Sequence, residues 1–120
     1  MSTRDIGGIG EDAVCRMLTK HGYEIIKRNF TVRGGEIDII AKKDDLIAFV
    51  EVKTRKRDPL TSGEEAITAY KKKHLIYAAQ RFLDAQEKQH SARFDVAVAE
   101  YDGGRITKIH YYVSAFDASR

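Results

Sequence analysis

The sequence contains two short apolar stretches, GEIDII at residues 35–40 and FVEVK at residues 49–53, that carry charges in their centres. Runs of β-branched and apolar residues predict buried strands, and strand interiors normally avoid Asp, Glu and Lys. An ionised side chain costs several kcal/mol to bury unless it is paired or binds a cation. Asp38, Glu51 and Lys53 therefore need partners, and the segment between the two stretches predicts where those partners lie.

The polar segment KKDD at residues 42–45 is flanked by apolar alternation and predicts a hairpin turn. A two-residue loop formed by its two aspartates places Asp38 directly opposite Glu51. The same register places Glu36 opposite Lys53. Since alternate side chains of a strand share a face, we expect all four charged groups on one side of the sheet. A three-residue loop would instead place the two facing carboxylates on opposite sides.

Paired carboxylates at this position predict a cation site. Adjacent carboxylates repel each other, and one of them resists ionisation unless a positive charge lies between them. A hard divalent cation takes oxygen ligands and is often held by one or two carboxylates together with water. Asp38 and Glu51 are therefore candidate ligands, and Lys53 could orient a water or stabilise charge on a phosphate during hydrolysis. The alternative is an exposed hairpin in which Glu36 and Lys53 form a cross-strand ion pair.

Asp38, followed on the next strand by Glu51-Val52-Lys53, resembles the PD-(D/E)xK signature of the restriction-endonuclease-like superfamily. An ordered set of segments more narrowly resembles the YraN-type family of small bacterial proteins, which is similar to archaeal Holliday junction resolvases. These segments are GEDA at 10–13, GY at 22–23, RN at 28–29, GEID at 35–38, FVEVKTR at 49–55 and RFDV at 93–96. The resemblance extends from about Ile9 to about Val98.

The resemblance implies a restriction-endonuclease-like fold and a Mg²⁺- or Mn²⁺-dependent endonuclease that cleaves branched or otherwise structured DNA. It implies that Asp38, Glu51 and the Val52 carbonyl hold the metal. Lys53 would then position the attacking water. An acidic residue on the first helix of the resolvase-like relatives joins the metal site, and Glu11 matches its position; the alternative for Glu11 is a first-turn glutamate favoured by the helix dipole. A homodimer would suit a two-fold junction, because each active site cuts one strand.

Basic residues are concentrated in two clusters that flank the proposed site along the chain, at residues 53–57 and 71–73. The overall excess of 21 Lys and Arg over 18 Asp and Glu gives a net charge of only +3, which does not by itself indicate nucleic acid. The clustering leads us to expect that Arg55, Arg57 and Lys71 contact nucleic-acid phosphates. The alternative is that these side chains are ordinary solvated surface charges.

The length of 120 residues predicts a single domain over residues 1–120 with one core. The single cysteine, Cys15, excludes an internal disulfide and fits a reducing compartment. No apolar run approaches the roughly 20 residues that a membrane span needs. The N-terminus also lacks a basic region followed by an apolar stretch. We therefore expect a cytoplasmic protein that does not associate with membranes.

Apolar periodicity along the chain predicts the element order αβββαββ. Outside the hairpin, the predicted elements are a helix from Ile9 to about His21, a strand from Glu24 to Val32, a helix from about Gly63 to Gln89 with Ser62 as its candidate N-cap, and strands over 93–101 and 106–113. The glycines of residues 7–10 are interpreted as a flexible helix entry rather than a phosphate-binding loop. The long helix allows the next strand to return parallel to a hairpin strand, which gives an α/β sandwich with a mixed central sheet. Asp95, a carboxylate within a predicted strand, is expected to have a structural partner.

Two alternatives to an independent enzyme remain open from the sequence. The first is a nucleic-acid-binding or adaptor protein on a nuclease fold, active only with a partner such as a recombination or repair motor. The second treats the carboxylates as structural and the chain as a protein-interaction module. The four histidines lack zinc-ligand spacing and no nucleophile triad is present, so an enzyme with this sequence would use oxygen-ligated metal chemistry.

Overall fold

The computed structural model describes residues 3–56 and 68–116, with side chains described from residue 6 onward. Its helices and strands are α1 (Thr3–Lys20), β1 (Glu24–Val32), β2 (Gly35–Lys43), β3 (Leu46–Lys56), α2 (Ala69–Asp84), β4 (Ser91–Asp102) and β5 (Arg105–Phe116). The order αβββαββ confirms the prediction from apolar periodicity. The last two strands are somewhat longer than predicted.

The five strands form one mixed sheet in the order β1-β2-β3-β4-β5. Only the β3–β4 pair is parallel, because α2 carries the chain back across the sheet between these two strands. The predicted two-residue loop is confirmed, since Lys43 faces Leu46 and Ile39 faces Val50. Asp44 has a φ of 54°, the left-handed conformation that a tight hairpin turn requires. The chain is therefore an α/β sandwich with a mixed central sheet.

The two helices cover opposite faces of the sheet, because neighbouring residues of β2 pack against different helices. One apolar cluster joins α1 to the sheet through Val14, Leu18, Ile39, Ala41, Ala48, Val50 and Ala97. The other joins α2 to the sheet through Ile37, Ile40, Ile47, Phe49, Leu75, Ala78, Ala79, Phe82 and Phe94. Neither helix, over its described residues, is long and apolar enough to cross a membrane.

The helix α1 begins earlier than predicted, so the interpretation of residues 7–10 as a flexible entry is wrong. These glycines lie within α1. A Cβ atom at Gly10 would lie 1.9 Å from Oγ1 of Thr54, and only glycine therefore allows α1 to approach β3 this closely. Apolar periodicity did not detect this part of the helix because a glycine contact buries backbone and contributes no apolar side chain.

The helix α2 spans Ala69–Asp84 and is shorter at both ends than the predicted range of 63–89. Thr68 is the N-cap, and its hydroxyl accepts a hydrogen bond of 3.1 Å from the Lys71 N–H. At the other end the Ala85 N–H bonds back to preceding carbonyls and closes the last turn. Local capping interactions therefore define both ends of α2. The predicted N-cap, Ser62, lies outside the described residues.

Candidate active site

The site lies at the point in β2 where the regular alternation of side chains between the two faces of the sheet is interrupted. Ile37 belongs to the cluster under α2 and Ile39 to the cluster under α1, although residues two apart on a regular strand share a face. Asp38 lies between them. On β1, Asn29 lies between the partners of Ile37 and Ile39 and has a φ of 52°. The regular alternation is therefore broken on both strands at one point, and Asp38 projects from that break.

The Asp38 carboxylate, rather than a backbone carbonyl of β2, accepts a hydrogen bond from the backbone of β3. Its Oδ2 atom accepts a hydrogen bond of 2.8 Å from the Val52 N–H. The observed backbone pairs between β2 and β3 end just before this point, at Ile39 and Val50. The two strands consequently separate beyond these residues, and the carboxylate of Asp38 lies between them.

This separation changes the predicted positions of Glu36 and Lys53. Glu36 pairs with Thr31 of β1. Among the ion pairs of the described residues, none joins Glu36 to Lys53. The observed β2–β3 pairs end before Glu36 and Lys53, so the regular register on which their predicted opposition rests does not extend to these two residues.

The Asp38 and Glu51 carboxyl groups are neighbours in a largely buried environment. Glu51 is only 8% exposed, although it is ionisable. Burial, a hydrogen bond with Glu51 and the negative charge of Glu51 together raise the pKa of Asp38 to about 7. The Val52 N–H and the Lys71 charge act in the opposite direction. The Asp38 carboxyl group therefore resists ionisation at this position.

The cation nearest to this pair is Lys71 from the start of α2. Its Nζ atom lies 3.5 Å from Oε1 of Glu51, while 59% of its side chain is exposed. We predicted Lys71 as a phosphate contact. Its position beside Glu51 was not predicted, because that proximity depends on where α2 crosses the sheet. Among the ion pairs of the described residues, none joins Lys53 to Asp38 or Glu51.

Glu11 approaches the same site from the α1 side. Burial and the negative charge of Asp38 raise the pKa of Glu11. Arg28 of β1 opposes this effect with its Nη2 atom 3.4 Å from Oε1 of Glu11, and its Nη1 atom lies 2.8 Å from Oδ1 of Asp12. In the sequence, Arg28 was noted only as part of the RN segment at residues 28–29 that resembles the YraN-type family. Its ion pairs with Glu11 and Asp12 depend on the contact between α1 and β1, which the sequence alone does not predict.

The remaining predicted residues lie farther along β3. Lys53 is exposed, and Arg55 is half-buried at the position that pairs with Glu100 of β4. A hydrogen bond with His110 is the main cause that lowers the pKa of Glu100, and the Arg55 charge adds to it. Arg57 lies outside the described residues. Lys53 and Arg55 thus form a row of basic residues that runs along β3 from the carboxylates toward the end of the strand.

An open cavity of about 470 Å³ lies beside the carboxylates and is called the α2 cavity here. It is bounded by Glu51 and Lys71 at the acidic site and by Tyr70 and His74 of α2. Glu36 and the turn between β1 and β2 form the opposite wall. The cavity therefore gives a molecule of small-ligand size access to Glu51 and Lys71.

The donor set fits a hard divalent cation. Asp38 and Glu51 provide oxygen atoms only, which Mg²⁺ and Mn²⁺ prefer. Within residues 6–56 and 68–116, no three His, Cys, Asp or Glu side chains converge as a ligand set. A cation held here would therefore use two carboxylates together with water and a backbone oxygen, for which the Val52 carbonyl is the predicted donor.

These features define an α/β protein whose mixed sheet carries paired carboxylates where two antiparallel strands separate. A family model described as "Uncharacterised protein family UPF0102" matches residues 10–99. A UPF0102 protein of Caldicellulosiruptor bescii is 40% identical over 119 residues, which cover 97% of this chain and 100% of the relative. Another from Syntrophomonas wolfei is 40% identical over 114 residues, covering 94% of this chain and 98% of the relative. The chain belongs to the UPF0102 family, which confirms the YraN-type resemblance of its segments.

Proposed function

We propose that this protein is a Mg²⁺- or Mn²⁺-dependent endonuclease that hydrolyses phosphodiester bonds in structured or branched DNA. One observation carries the proposal: Asp38 and Glu51 lie side by side in a largely buried position where β2 and β3 separate. Two neighbouring carboxylates in a largely buried position repel each other, and a bound cation would relieve that repulsion. The resemblance to the PD-(D/E)xK superfamily and to junction resolvases supports the same chemistry.

Each residue has a role in this proposal. Asp38 and Glu51, with the Val52 carbonyl, would hold the divalent cation. When bound, the cation would supply Lewis-acid activation of the phosphoryl group and a lower pKa for water in its shell. Lys53, exposed beyond Glu51 on β3, would orient the attacking water and stabilise charge developing on the phosphate. Glu11, whose pKa responds to the charge of Asp38, would add negative charge from the α1 side without being a third ligand of the converging set.

The substrate would be held by the basic groups around the carboxylates. Lys71 would exchange its contact with Glu51 for a phosphate oxygen, and Arg55 and Arg57 would contact phosphates along the flanking backbone. A two-fold DNA junction would be cut by a homodimer with one active site on each strand. A recombination or repair motor is the class of partner that would deliver such junctions.

Cleavage of a DNA panel tests the proposal. The panel contains a four-way junction, a flap, a fork and a plain duplex, each incubated with Mg²⁺ or Mn²⁺. We expect Asp38→Asn and Glu51→Gln each to reduce cleavage at least about 100-fold, since loss of a ligand should exceed the 10- to 100-fold loss typical of outer partners. Glu24→Gln is the matched control, because Glu24 is an exposed carboxylate at the start of β1. Cleavage that survives both active-site substitutions would contradict the assigned site.

Direct cation binding gives a second test that does not depend on turnover. We expect Mn²⁺ at about pH 8 to raise the melting temperature of the wild-type protein by a few degrees. The increase should shrink at lower pH, because protons compete with the cation for the ligand carboxylates. Asp38→Asn should abolish the increase and Glu24→Gln should keep it. An equal Mn²⁺ effect in all three proteins would place the cation elsewhere.

A second candidate is a DNA-binding or adaptor protein without turnover of its own. The contact between Lys71 and Glu51 favours it, because an ammonium group already neutralises one of the two carboxylates. Salt-sensitive DNA binding without cleavage and without a Mn²⁺ effect on melting would support this function. Cleavage lost in Asp38→Asn would eliminate it.

A further inference from the structure

Tyr70 is the most exposed of the large hydrophobic side chains in the described residues, with 71% of its surface accessible. It lies in the first turn of α2 and borders the α2 cavity together with Glu51 and Lys71. A side chain this exposed contributes little to the core. Its ring borders the cavity and is therefore accessible to a ligand that enters there.

Tyr70 is part of an organised aromatic surface, which we call the Tyr70–His74 platform. The two rings have centroids 4.0 Å apart and planes inclined by 37°. His74 Nδ1 lies 2.8 Å from the Tyr70 carbonyl oxygen, a contact that holds the imidazole one helical turn beyond the tyrosine. The cap formed by Thr68 fixes the start of the same helix. The platform is therefore set before any ligand arrives.

The charges around the platform favour a nucleotide over an apolar ligand. Lys71 follows Tyr70 directly and also borders the cavity. Its ammonium group lies 3.5 Å from Oε1 of Glu51. Glu36 on the far wall disfavours a phosphate there but can accept a hydrogen bond from the amino group of a base. Stacking surfaces combined with cations are the usual composition of sites for unpaired nucleotides.

We infer that the α2 cavity binds an unpaired nucleotide of the substrate, with its base stacked on the Tyr70–His74 platform and its phosphate directed toward Lys71. The cavity volume of about 470 Å³ falls within the range of small-ligand sites. This inference rests on the proposed function, and it names the substrate class: DNA that carries an unpaired nucleotide beside the phosphate to be cut. Perfect duplex cannot offer a base to this platform without unstacking it.

Tyr77 provides a matched control on the same helix. It is also exposed, at 45%, but its hydroxyl lies 3.3 Å from Nη1 of Arg81. Tyr77 does not border the α2 cavity. The same substitution at the two tyrosines therefore separates loss of the platform from loss of any exposed aromatic ring on α2.

The test measures stacking directly, in the absence of divalent cations so that cleavage cannot occur. The probe is a DNA duplex whose single-stranded overhang carries one 2-aminopurine between two abasic sites. No neighbouring base quenches this nucleotide, so its fluorescence falls when it stacks on an aromatic ring. We expect quenching by the wild-type protein and by Tyr70→Phe. Tyr70→Leu should lose the quenching and bind the probe about 5- to 100-fold more weakly, as expected for loss of one stacked base. Tyr77→Leu should behave like the wild type.

Failure of this inference and failure of the proposed function give different results. If Tyr70→Leu quenches and binds like the wild type, the platform inference is overturned, whatever the cleavage activity. If the wild-type protein quenches the probe but never cleaves DNA with Mg²⁺ or Mn²⁺, the platform stands and the endonuclease proposal falls. Equal cleavage of unpaired and fully paired substrates by wild type and Tyr70→Leu would leave the endonuclease and overturn the platform. Thermal melting of each variant verifies that it is folded.

Discussion

Asp38 and Asp95 are both aspartates within strands of the same sheet, yet their surroundings differ. Asp95 is completely buried, whereas Asp38 is only partly buried. Asp95 faces an arginine and other hydrogen-bond donors, while Asp38 faces a second carboxylate. Burial alone would rank Asp95 first as a functional residue. The comparison teaches that the charge of the neighbour, more than the depth of burial, distinguishes a structural carboxylate from a candidate ligand.

Asp95 has a donor for each of its oxygen atoms, which confirms the prediction of a structural partner. Arg93 approaches it with Nε 2.9 Å from Oδ1 and Nη2 2.8 Å from Oδ2. The Tyr111 hydroxyl donates to Oδ2 over 2.6 Å and the Ser114 N–H to Oδ1 over 2.9 Å. Burial and the hydrogen bond with Asp95 raise the pKa of Tyr111, so its hydroxyl remains a donor. This network joins β4 to β5.

Asp38 has one strong donor, the N–H of Val52, and its nearest charged neighbour has the same sign. The free energy of folding therefore includes an unfavourable contribution at this point, which a bound cation would offset. The two aspartates should consequently respond in opposite directions to neutral substitution.

The largest effect is expected for Asp95→Ala. This substitution leaves the guanidinium group of Arg93 without its carboxylate and removes the acceptor of two further donors. Breaking one partner of a buried ion pair costs about 3 to 5 kcal/mol, and we expect a loss of that size in the free energy of unfolding. Urea denaturation followed by circular dichroism measures it. A loss below about 1 kcal/mol would show that Asp95 is no more structural than Asp38.

An intermediate effect of opposite sign is expected for Asp38→Asn. The folded-state pKa of Asp38, about 7, lies above its usual value of 3.8. Between these values the folded protein holds a proton that the unfolded chain has released, so this group stabilises at low pH and its contribution is lost as pH rises through about 7. Asn keeps the acceptor for Val52 and carries no charge. The variant should therefore be about 1 to 3 kcal/mol more stable than wild type at about pH 8.

Urea denaturation without divalent cations at about pH 5 and about pH 8 checks this prediction for both proteins. The difference between variant and wild type should be small at the lower pH and largest at the higher pH. The charge of Asp38 is one cause of the raised pKa of Glu11, so the variant also relieves Glu11, which adds to the difference in the same direction. A variant less stable than wild type at the higher pH would mean that Asp38 is structural.

The smallest effect is expected for Tyr111→Phe. This change removes one hydroxyl donor from Asp95 and leaves Arg93 and the Ser114 N–H in place. The net loss should be about 1 kcal/mol, the usual contribution of a single hydrogen bond. Thermal melting with and without Mn²⁺ measures both properties, and the Mn²⁺ effect should be unchanged. A reduced Mn²⁺ effect in this variant would show that the Asp95 network and the Asp38 site are coupled.

The sequence predicted the hairpin register but missed the break at Asp38. The register follows from the position of a two-residue turn, which is local information. The break depends on Asn29, a non-glycine residue with positive φ on the neighbouring strand, and such a residue carries no clear signal in an isolated sequence. The prediction that Glu36 faces Lys53 assumed regular alternation through this break, and the observed β2–β3 pairs end before it.

The sequence also named the carboxylates of the site but not the cation beside them. Asp38 and Glu51 were found because charges within apolar strands are unusual, which is a property of the strands themselves. Lys71 reaches Glu51 from α2, and Arg28 reaches Glu11 from β1. These contacts join segments far apart in the chain, and no spacing rule predicts them.

By itself the sequence determined the αβββαββ order, the mixed sheet, the hairpin turn and the two carboxylates, because alternation, turn residues and charge within apolar runs are local patterns. Only the tertiary structure decided that β2 and β3 separate at Asp38, that α1 passes close to Thr54 at Gly10 and that Lys71 and Tyr70 border the acidic site. The physical reason is that these arrangements depend on how helices pack across the sheet. Packing is settled by contacts between distant residues, which no short segment encodes.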